Sequence, residues 1–272
     1  MKSFNDLYKF QLDYNIERMP YVGNFLKNPY SYLKARYYMF FSTLVVYFLQ
    51  NTSIHPNTVT KVYIFWGFLA AFFLAIPIYE LHFLAIFLFF SKGILDWADG
   101  FFARLKQKTS LTGHVLDVYG AAINSLAFVI SLGIYNYYLF GENALFLFTL
   151  FIYPFCYGTL LTKFSNNFVI DEINTKNLAT SSNKSNFKTI KESHSGIYNF
   201  FTIFLDDRSR TIDFVLFLIL VEQYGGPHLS WLFYLGVNLK WLALWFGSFI
   251  FSSKERYADD LLSSKLNELK NG

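Results

Sequence analysis

The sequence predicts an all-α polytopic membrane protein, and three observations support that fold class. Of the 272 residues, 54% are hydrophobic, 22% are aromatic and only 15% are charged, which is too few charges for a soluble domain of this size. Several apolar runs approach the roughly 20 residues that a helix needs to cross a bilayer. Connections that contain Lys or Arg also alternate with connections that contain neither, as they do in membrane proteins of defined orientation.

The first predicted element is an amphipathic helix that lies in the membrane interface. Residues 37–50, YYMFFSTLVVYFLQ, are apolar, but the run of about 14 residues is shorter than a span requires. We expect its Tyr side chains at the level of the lipid headgroups, with Lys34 and Arg36 facing anionic lipid. The alternative is a helix that is half buried by packing against the spans.

Six transmembrane helices are predicted to follow, near residues 61–79, 81–105, 112–140, 143–163, 198–222 and 229–252. The connections after the first, third and fifth spans contain no Lys or Arg, whereas the other connections and both terminal segments are basic. Because translocated loops avoid positive charge, both termini are expected in the cytoplasm. The predicted division is an N-terminal segment, a transmembrane domain and a cytoplasmic tail, at residues 1–55, 56–252 and 253–272.

The most polar stretch, residues 165–195, separates the fourth and fifth predicted spans. It is rich in Ser, Asn and Lys, so we expect a cytoplasmic loop. A loop of this length is either a flexible linker or a lid over a cytoplasmic opening, and both interpretations remain open.

Three carboxylates lie on the second and third predicted spans, which a short basic turn joins as antiparallel neighbours. One helical stripe on the second span contains Asp96, Asp99, Gly100 and Ala103. A stripe on the third span contains Gly113, Asp117, Ala121 and Asn124. A carboxylate near the middle of a span costs about 2.5–3.5 kcal/mol, so three of them require partners, water or cations. Oxygen ligands without adjacent His or Cys favour Mg²⁺ or Mn²⁺ over zinc.

Two glycines belong to these stripes and have two possible roles. Because Gly100 and Gly113 lack side chains, they allow a ligand to approach the backbone closely. Glycines in spans equally allow neighbouring helices to pack closely. The sequence leaves both roles open.

These residues resemble the CDP-alcohol phosphatidyltransferases, a family of integral-membrane phospholipid synthases. The family pattern is D-x2-D-G-x2-A-R-x8-G-x3-D-x3-D, and this chain matches seven of its eight fixed positions with Asp96, Asp99, Gly100, Ala103, Arg104, Gly113 and Asp117. The predicted topology also resembles that of the family. A weaker similarity is the HPNTVT segment, where relatives often have PNxxT, although Asn57 there could instead cap a helix.

The resemblance implies a phosphoryl transfer from a CDP-activated lipid or CDP-alcohol donor to an alcohol acceptor, with release of CMP. By analogy, two Mg²⁺ or Mn²⁺ ions would be held by Asp96, Asp99 and Asp117. The CDP moiety would contact Gly100, Ala103, Arg104, Gly113, Asn57 and Thr60. It also implies a site facing the cytoplasm and a possible homodimer, with no nucleic-acid partner. The charge bias suits a plasma (inner) membrane.

The last fixed position of the pattern is Ala121 instead of Asp. In the family, that Asp is the general base for the acceptor hydroxyl and a ligand of the second cation, so neither function is assigned here. Asn124 cannot take a proton, and His114 lies seven residues earlier on the helix. Two hypotheses follow: an active transferase with another base, or a catalytically degenerate relative that binds cation, nucleotide or lipid as a partner or regulator.

Two further polar features lie on the last two predicted spans. Arg208 and Arg210 in the DDRSR segment are candidates for binding an anionic acceptor or the lipid phosphate. They equally fit a solvated helix start, neutralised by the two preceding aspartates. Asp213 and Lys240 are predicted to form a buried ion pair.

Overall fold

The structure, a computed structural model, is all-helical in the residues that it describes, 2–18, 24–27, 29–141, 143–178 and 209–271. A short 3₁₀ turn at Phe25–Lys27 precedes the second helix. The α-helices are α1 (Phe4–Arg18), α2 (Pro29–Leu49), α3 (Pro56–Ala75), α4 (Tyr79–Leu105), α5 (Leu111–Phe140), α6 (Asn143–Gly158), α7 (Leu161–Leu178), α8 (Ser209–Gln223), α9 (Ser230–Ser252) and α10 (Tyr257–Asn271). The predicted all-α class is confirmed for this part of the chain.

Within the described residues, four helices are long and apolar enough to cross a membrane, namely α3, α4, α5 and α9. They correspond to the first, second, third and sixth predicted spans. The fourth predicted span is divided, since α6 has 16 residues and ends at Gly158, before α7 begins at Leu161. At the fifth, α8 has 15 residues, and residues 201–208 before it lie outside the described part. Six spans and their orientation therefore stay predictions.

Helix α2 begins well before the apolar segment from which it was predicted. One face packs against α4, with the ring centroids of Tyr38 and Trp97 5.9 Å apart. Phe40, Phe41 and Phe48 are exposed, which leaves an apolar surface for lipid. An interfacial position thus stays a prediction, while packing against a span is observed.

The central helix is α3, against which both α4 and α5 pack. Contacts between α4 and α5 run in opposite chain directions: the rings of His82 and Tyr135 are 5.0 Å apart, as are those of Phe89 and Phe128. Because α3 packs between α4 and α5 along much of their length, only large side chains bring these two helices into contact in the core. Cavities remain at the end where the acids lie.

A buried carboxylate fastens α5, α8 and α9 at the opposite end of the bundle from the acids. Glu222 accepts hydrogen bonds from the backbone N–H groups of Leu229 and Ser230, both at 2.7 Å. It also accepts from the Tyr135 and Ser230 hydroxyls, both at 3.0 Å. Four donors compensate the desolvation of this carboxylate, and they join the start of α9 to the end of α8.

The predicted loop at 165–195 is wrong for its first part, because α7 continues to Leu178. Val169 and Ile173 lie one helical turn apart and are both buried, and α7 packs against α9 and α10. Burial of this apolar stripe stabilises a helix that the Ser- and Asn-rich composition obscured. The remainder, 179–195, lies outside the described residues.

The predicted ion pair between Asp213 and Lys240 is also wrong. Asp213 instead forms a salt bridge with Lys34 of α2 and accepts a hydrogen bond from Tyr30. The sequence placed Lys34 against lipid headgroups, but only 12% of its side chain is exposed. Because α8 packs against α4 beside α2, the start of α8 faces the N-terminal segment and not the middle of α9.

Candidate functional site

The first half of α3 and the two ends of α4 and α5 that adjoin their shared turn enclose a cavity of about 370 Å³. Eight residues predicted to bind CDP or cations line it, namely Asn57, Thr60, Asp99, Gly100, Ala103, Arg104, Gly113 and Asp117. They come from three helices and two separate sequence motifs. The fold thus joins the PNxxT segment to the acidic motif in one cavity, which we call the outer cavity.

The PNxxT segment begins α3, but Asn57 does not cap it. Pro56 is at the start of the helix and His55 is the N-cap, with its Nδ1 accepting a hydrogen bond from the Asn57 N–H at 3.2 Å. The capping interpretation of Asn57 is therefore wrong. Its amide side chain faces α5, since a Cβ added at Gly113 would lie 3.1 Å from Asn57 Oδ1.

The turn between α4 and α5, together with the first turn of α5, adds residues that were not assigned to a site from the sequence. Lys108, Thr109, Ser110 and His114 line the outer cavity. Ser110 caps α5 by accepting a hydrogen bond from the Gly113 N–H at 3.0 Å. The available signal was the basic, hydroxyl-rich turn inside the motif, where the pattern specifies no residue. Lys108 brings a positive charge to the cavity beside that of Arg104.

All three predicted cation ligands line a second, adjoining cavity of about 230 Å³, the acidic cavity. Asp96 is close enough to Asp117 and Asp99 to interact with both electrostatically. The Asp99 carboxylate accepts a hydrogen bond from the Gly100 N–H. Its Oδ2 atom is buried and accepts no hydrogen bond of normal geometry within the described residues, although Thr60 lies beside it. The predicted convergence of the acids is therefore observed.

The chemistry of these acids fits a hard divalent cation. Three carboxylates supply oxygen ligands, and the buried Asp99 Oδ2 needs a positive partner. Among the described residues, no group of three or more His, Cys, Asp or Glu side chains is already arranged as a coordination sphere. The carboxylates would therefore have to move together around an ion.

Helix α1 contributes to the acidic cavity, which the sequence did not suggest. Gln11, Tyr14 and Asn15 line the cavity, and the Arg104 guanidinium lies 4.2 Å from the centroid of the Tyr14 ring. Gln11 fixes α1 on α2, because its amide donates to the Ser42 hydroxyl at 2.9 Å and accepts from the Thr43 hydroxyl at 2.7 Å. No motif marks these residues, and their proximity to the acids depends on how α1 folds back.

Gly100 also has a local role, beside the two that the sequence left open. A Cβ at this position would lie 3.2 Å from Arg104 Nη1. The missing side chain therefore leaves space for the guanidinium, which turns back along its own helix toward Gly100 and Tyr14. This arrangement keeps a positive charge beside the acids in the acidic cavity.

Ala121 lines a third cavity of about 170 Å³, which we call the inner cavity. The inner cavity also includes Asp96, Lys92 and, from α8, Asp213. The two nearby residues considered as substitutes for the missing Asp lie elsewhere: His114 lines the outer cavity, and Asn124 is buried against Gly67, where an added Cβ would lie 2.0 Å from its Oδ1 atom. Asn124 therefore serves the contact between α3 and α5.

The structure does not describe the side chains of the two predicted anion-binding arginines. Arg208 lies outside the described residues, and Arg210 is described only as part of the backbone of α8. Their predicted contact with an acceptor or lipid phosphate therefore stays a prediction.

Comparison with known families identifies the segment that contains these cavities. The family model described as CDP-alcohol phosphatidyltransferase matches residues 53–174, which include α3 to α6, most of α7, and both motifs. No curated protein matches the sequence of this chain. The family predicted from the seven motif residues is confirmed.

Proposed function

We propose that this chain, which belongs through residues 53–174 to the CDP-alcohol phosphatidyltransferase family, is an integral-membrane phosphotransferase of phospholipid synthesis. It transfers a phosphatidyl or phospho-alcohol group from a CDP-activated donor to an alcohol acceptor and releases CMP. The observation that supports this most directly is the outer cavity, where eight residues of the two family motifs meet.

The CDP moiety is proposed to bind in the outer cavity. Arg104 and Lys108 supply positive charge there, which suits the negative charge of a pyrophosphate. The N-terminal ends of α3 and α5 also face this cavity, as Pro56 and Gly113 are among its lining residues, and helix N-termini favour anions. Gly113 leaves room for Asn57, whose amide is available to the nucleotide. Gly100, Ala103 and Thr60 complete the proposed CDP contacts.

Members of this family typically use divalent cations, and Asp96, Asp99 and Asp117 are the proposed ligands here. Bound Mg²⁺ or Mn²⁺ would neutralise the pyrophosphate and stabilise the leaving oxygen. The residues themselves prepare this site: α4 and α5 hold the three carboxylates in one cavity, and the buried Asp99 Oδ2 accepts no hydrogen bond of normal geometry from the part of the chain that the structure describes. Arg104 lines the same cavity, and its positive charge reduces the electrostatic repulsion among the three carboxylates.

The proposed topology places this site at the cytoplasmic face. The turn between α4 and α5 carries Lys106 and Lys108 at the site, whereas the connections 76–78, 141–142 and 224–229 at the other ends of the helices contain no Lys or Arg. Six spans within residues 56–252, an interfacial α2, cytoplasmic terminal segments 1–55 and 253–272, and insertion in a plasma membrane complete the proposal. Homodimerisation and an acceptor contact by Arg208 and Arg210 belong to the same hypothesis.

The alternative is a catalytically degenerate member that binds nucleotide, cation or lipid as a partner or regulator. Ala121 supports this alternative, because the position can neither take a proton nor bind a cation. The two functions differ in one observable: a transferase turns over CDP-activated donors, whereas the degenerate protein binds CDP in a cation-dependent manner and releases no CMP.

The test is CMP release by the purified full-length protein in lipid nanodiscs with Mn²⁺ or Mg²⁺. CDP-diacylglycerol is supplied with glycerol 3-phosphate, inositol phosphate or serine, and CDP-choline or CDP-ethanolamine with diacylglycerol. We expect CMP from at least one pair of donor and acceptor. The rate of CMP release should be at least about 100-fold lower in Asp99→Asn. Asp259→Asn, an exposed change on α10, is the matched control and should retain the rate. Cation-dependent CDP binding without CMP release from any pair would favour the degenerate function.

A further inference from the structure

We propose that Asp213 of α8 supplies the carboxylate that the family motif lacks at Ala121, and that it takes the proton of the acceptor hydroxyl. This inference rests on the proposed transferase function. It identifies the acceptor side of that site as the inner cavity.

The first observation is that the two positions share one cavity. Ala121 of α5, Asp96 of α4 and Asp213 of α8 all line the inner cavity. A side chain at position 121 and one at position 213 therefore reach the same space from different helices. Asp96 also lines the acidic cavity, so the inner cavity borders the proposed cation site. A carboxylate from α8 thus lies on the side where the missing one would lie.

The second observation is the way in which Asp213 is held. Tyr30 and Lys34 of α2 both contact the same carboxylate oxygen, Oδ2. Within the described residues, Oδ1 makes no hydrogen bond or ion pair, so this oxygen remains available to a ligand. Only 14% of the Asp213 side chain is exposed. An ionised carboxylate at such a position requires compensation, and Lys34 provides it while fixing the orientation of the group.

The remaining lining of the inner cavity suits a polar acceptor. Lys92 lies one helical turn before Asp96, and Tyr38, Tyr63 and Ser125 add hydroxyl groups. These groups come from α2, α3, α4 and α5, so the acceptor would be surrounded by hydrogen-bonding side chains on several sides. A volume of about 170 Å³ is suited to a small alcohol or a headgroup and not to a whole lipid.

The proposed step is balanced as a proton transfer coupled to substitution at phosphorus. The acceptor O–H bond breaks and its proton passes to Asp213 Oδ1. The acceptor oxygen forms a bond to the donor phosphorus, while the bond from that phosphorus to the CMP oxygen breaks with its electron pair leaving on CMP. Asp213 then returns its proton to solvent. General-base assistance of this kind contributes about 10² to 10⁴ in rate.

The experiment moves the carboxylate between the two positions in the full-length protein. Wild type, A121D, D213N and A121D/D213N are compared by CMP release in nanodiscs with Mn²⁺, together with thermal stability and the Kd of CDP measured with Mn²⁺. We expect D213N to lower kcat at least 100-fold, with the Kd of CDP unchanged within about threefold because the outer cavity is intact. The kcat of A121D/D213N should be at least tenfold higher than that of D213N. D259N is the control and should retain the wild-type rate.

If Asp213 has a purely structural role, adding A121D should not raise the kcat of D213N, because a carboxylate at position 121 would not replace the contact with Lys34. If D213N is too unstable to assay, K34M/D213N removes both members of the salt bridge, and A121D is then added to that background. Wild-type kcat in D213N, or no recovery on adding A121D, overturns the inference while the transferase function stands. Absence of CMP release in every protein, including wild type, contradicts the transferase function itself.

Discussion

The salt bridge between Lys34 and Asp213 connects the N-terminal segment to the helical bundle, and a double-mutant cycle tests its energy. The exposed fractions of the two side chains are 12% and 14%. Removing one partner of a buried pair costs about 3–5 kcal/mol, because the other charge stays buried. Tyr30 would still donate to Asp213, and slight exposure allows some solvation. We therefore expect Lys34→Met to lower the free energy of unfolding by about 2–3 kcal/mol.

The cycle compares Lys34→Met, Asp213→Asn and the double variant by reversible denaturant unfolding in detergent micelles. We expect the double variant to be at least about 1 kcal/mol more stable than Lys34→Met, since it contains no unpaired charge. Lys61→Met, at an exposed position on α3, is the control and should stay within about 0.5 kcal/mol of wild type. Equal stability of wild type and Lys34→Met, or strict additivity of the two changes, would refute the observed pairing.

Three further predictions concern the site and its supports. Gly113→Ala should weaken CDP binding about tenfold by calorimetry, because its Cβ would lie 3.1 Å from Asn57 Oδ1. Thermal stability should not fall, since Ala is the better helix residue. Gly247→Ala, where an added Cβ meets nothing within 4 Å, is the matched control and should bind CDP normally. Arg104→Lys should raise the Kd of CDP about tenfold, because Lys lacks the planar guanidinium that lies over the Tyr14 ring and is proposed to pair with phosphate. An unchanged Kd would exclude Arg104 from the CDP site. Glu222→Ala should lower the free energy of unfolding by about 3 kcal/mol by leaving buried donors unpaired, whereas the folded fraction should bind CDP with wild-type affinity; a fall in that affinity would contradict a purely structural role.

The site helices were predicted well because their signals are local. Helical spacing alone placed Asp96 and Asp99 on one face of α4, and the short turn at 106–110 required α5 to run back in the opposite direction. Burial of apolar side chains on α3 then holds both helices without altering that geometry. The convergence of Asp117 with the two earlier acids follows from this arrangement.

The other contributions to the cavities depend on contacts between distant segments, which periodicity does not encode. Tyr14 reaches Arg104 only because Gln11 fastens α1 to α2, and Lys34 reaches Asp213 only because α8 packs beside α2. From the sequence, Lys34 was expected at the lipid surface, since a basic residue before an apolar run is typical of interfaces. Its burial became apparent only from the position of α8.

Helix α7 was not predicted for a different physical reason. Its polar composition was typical of a loop, yet Val169 and Ile173 form a short buried stripe against the neighbouring helices. Two apolar residues in a polar segment are a weak signal by themselves. Tertiary packing supplies the stabilisation that composition and intrinsic propensity do not.

The most direct test of the proposed transferase is mass spectrometry of the lipids formed when the purified protein is incubated with Mn²⁺, a CDP-activated donor and an isotopically labelled alcohol. The transferase predicts a phospholipid that contains the label, formed in an amount equal to the CMP released, and both products should disappear in Asp99→Asn. CMP release without a labelled lipid, or equal yields from wild type and Asp99→Asn, would contradict phosphoryl transfer at this site.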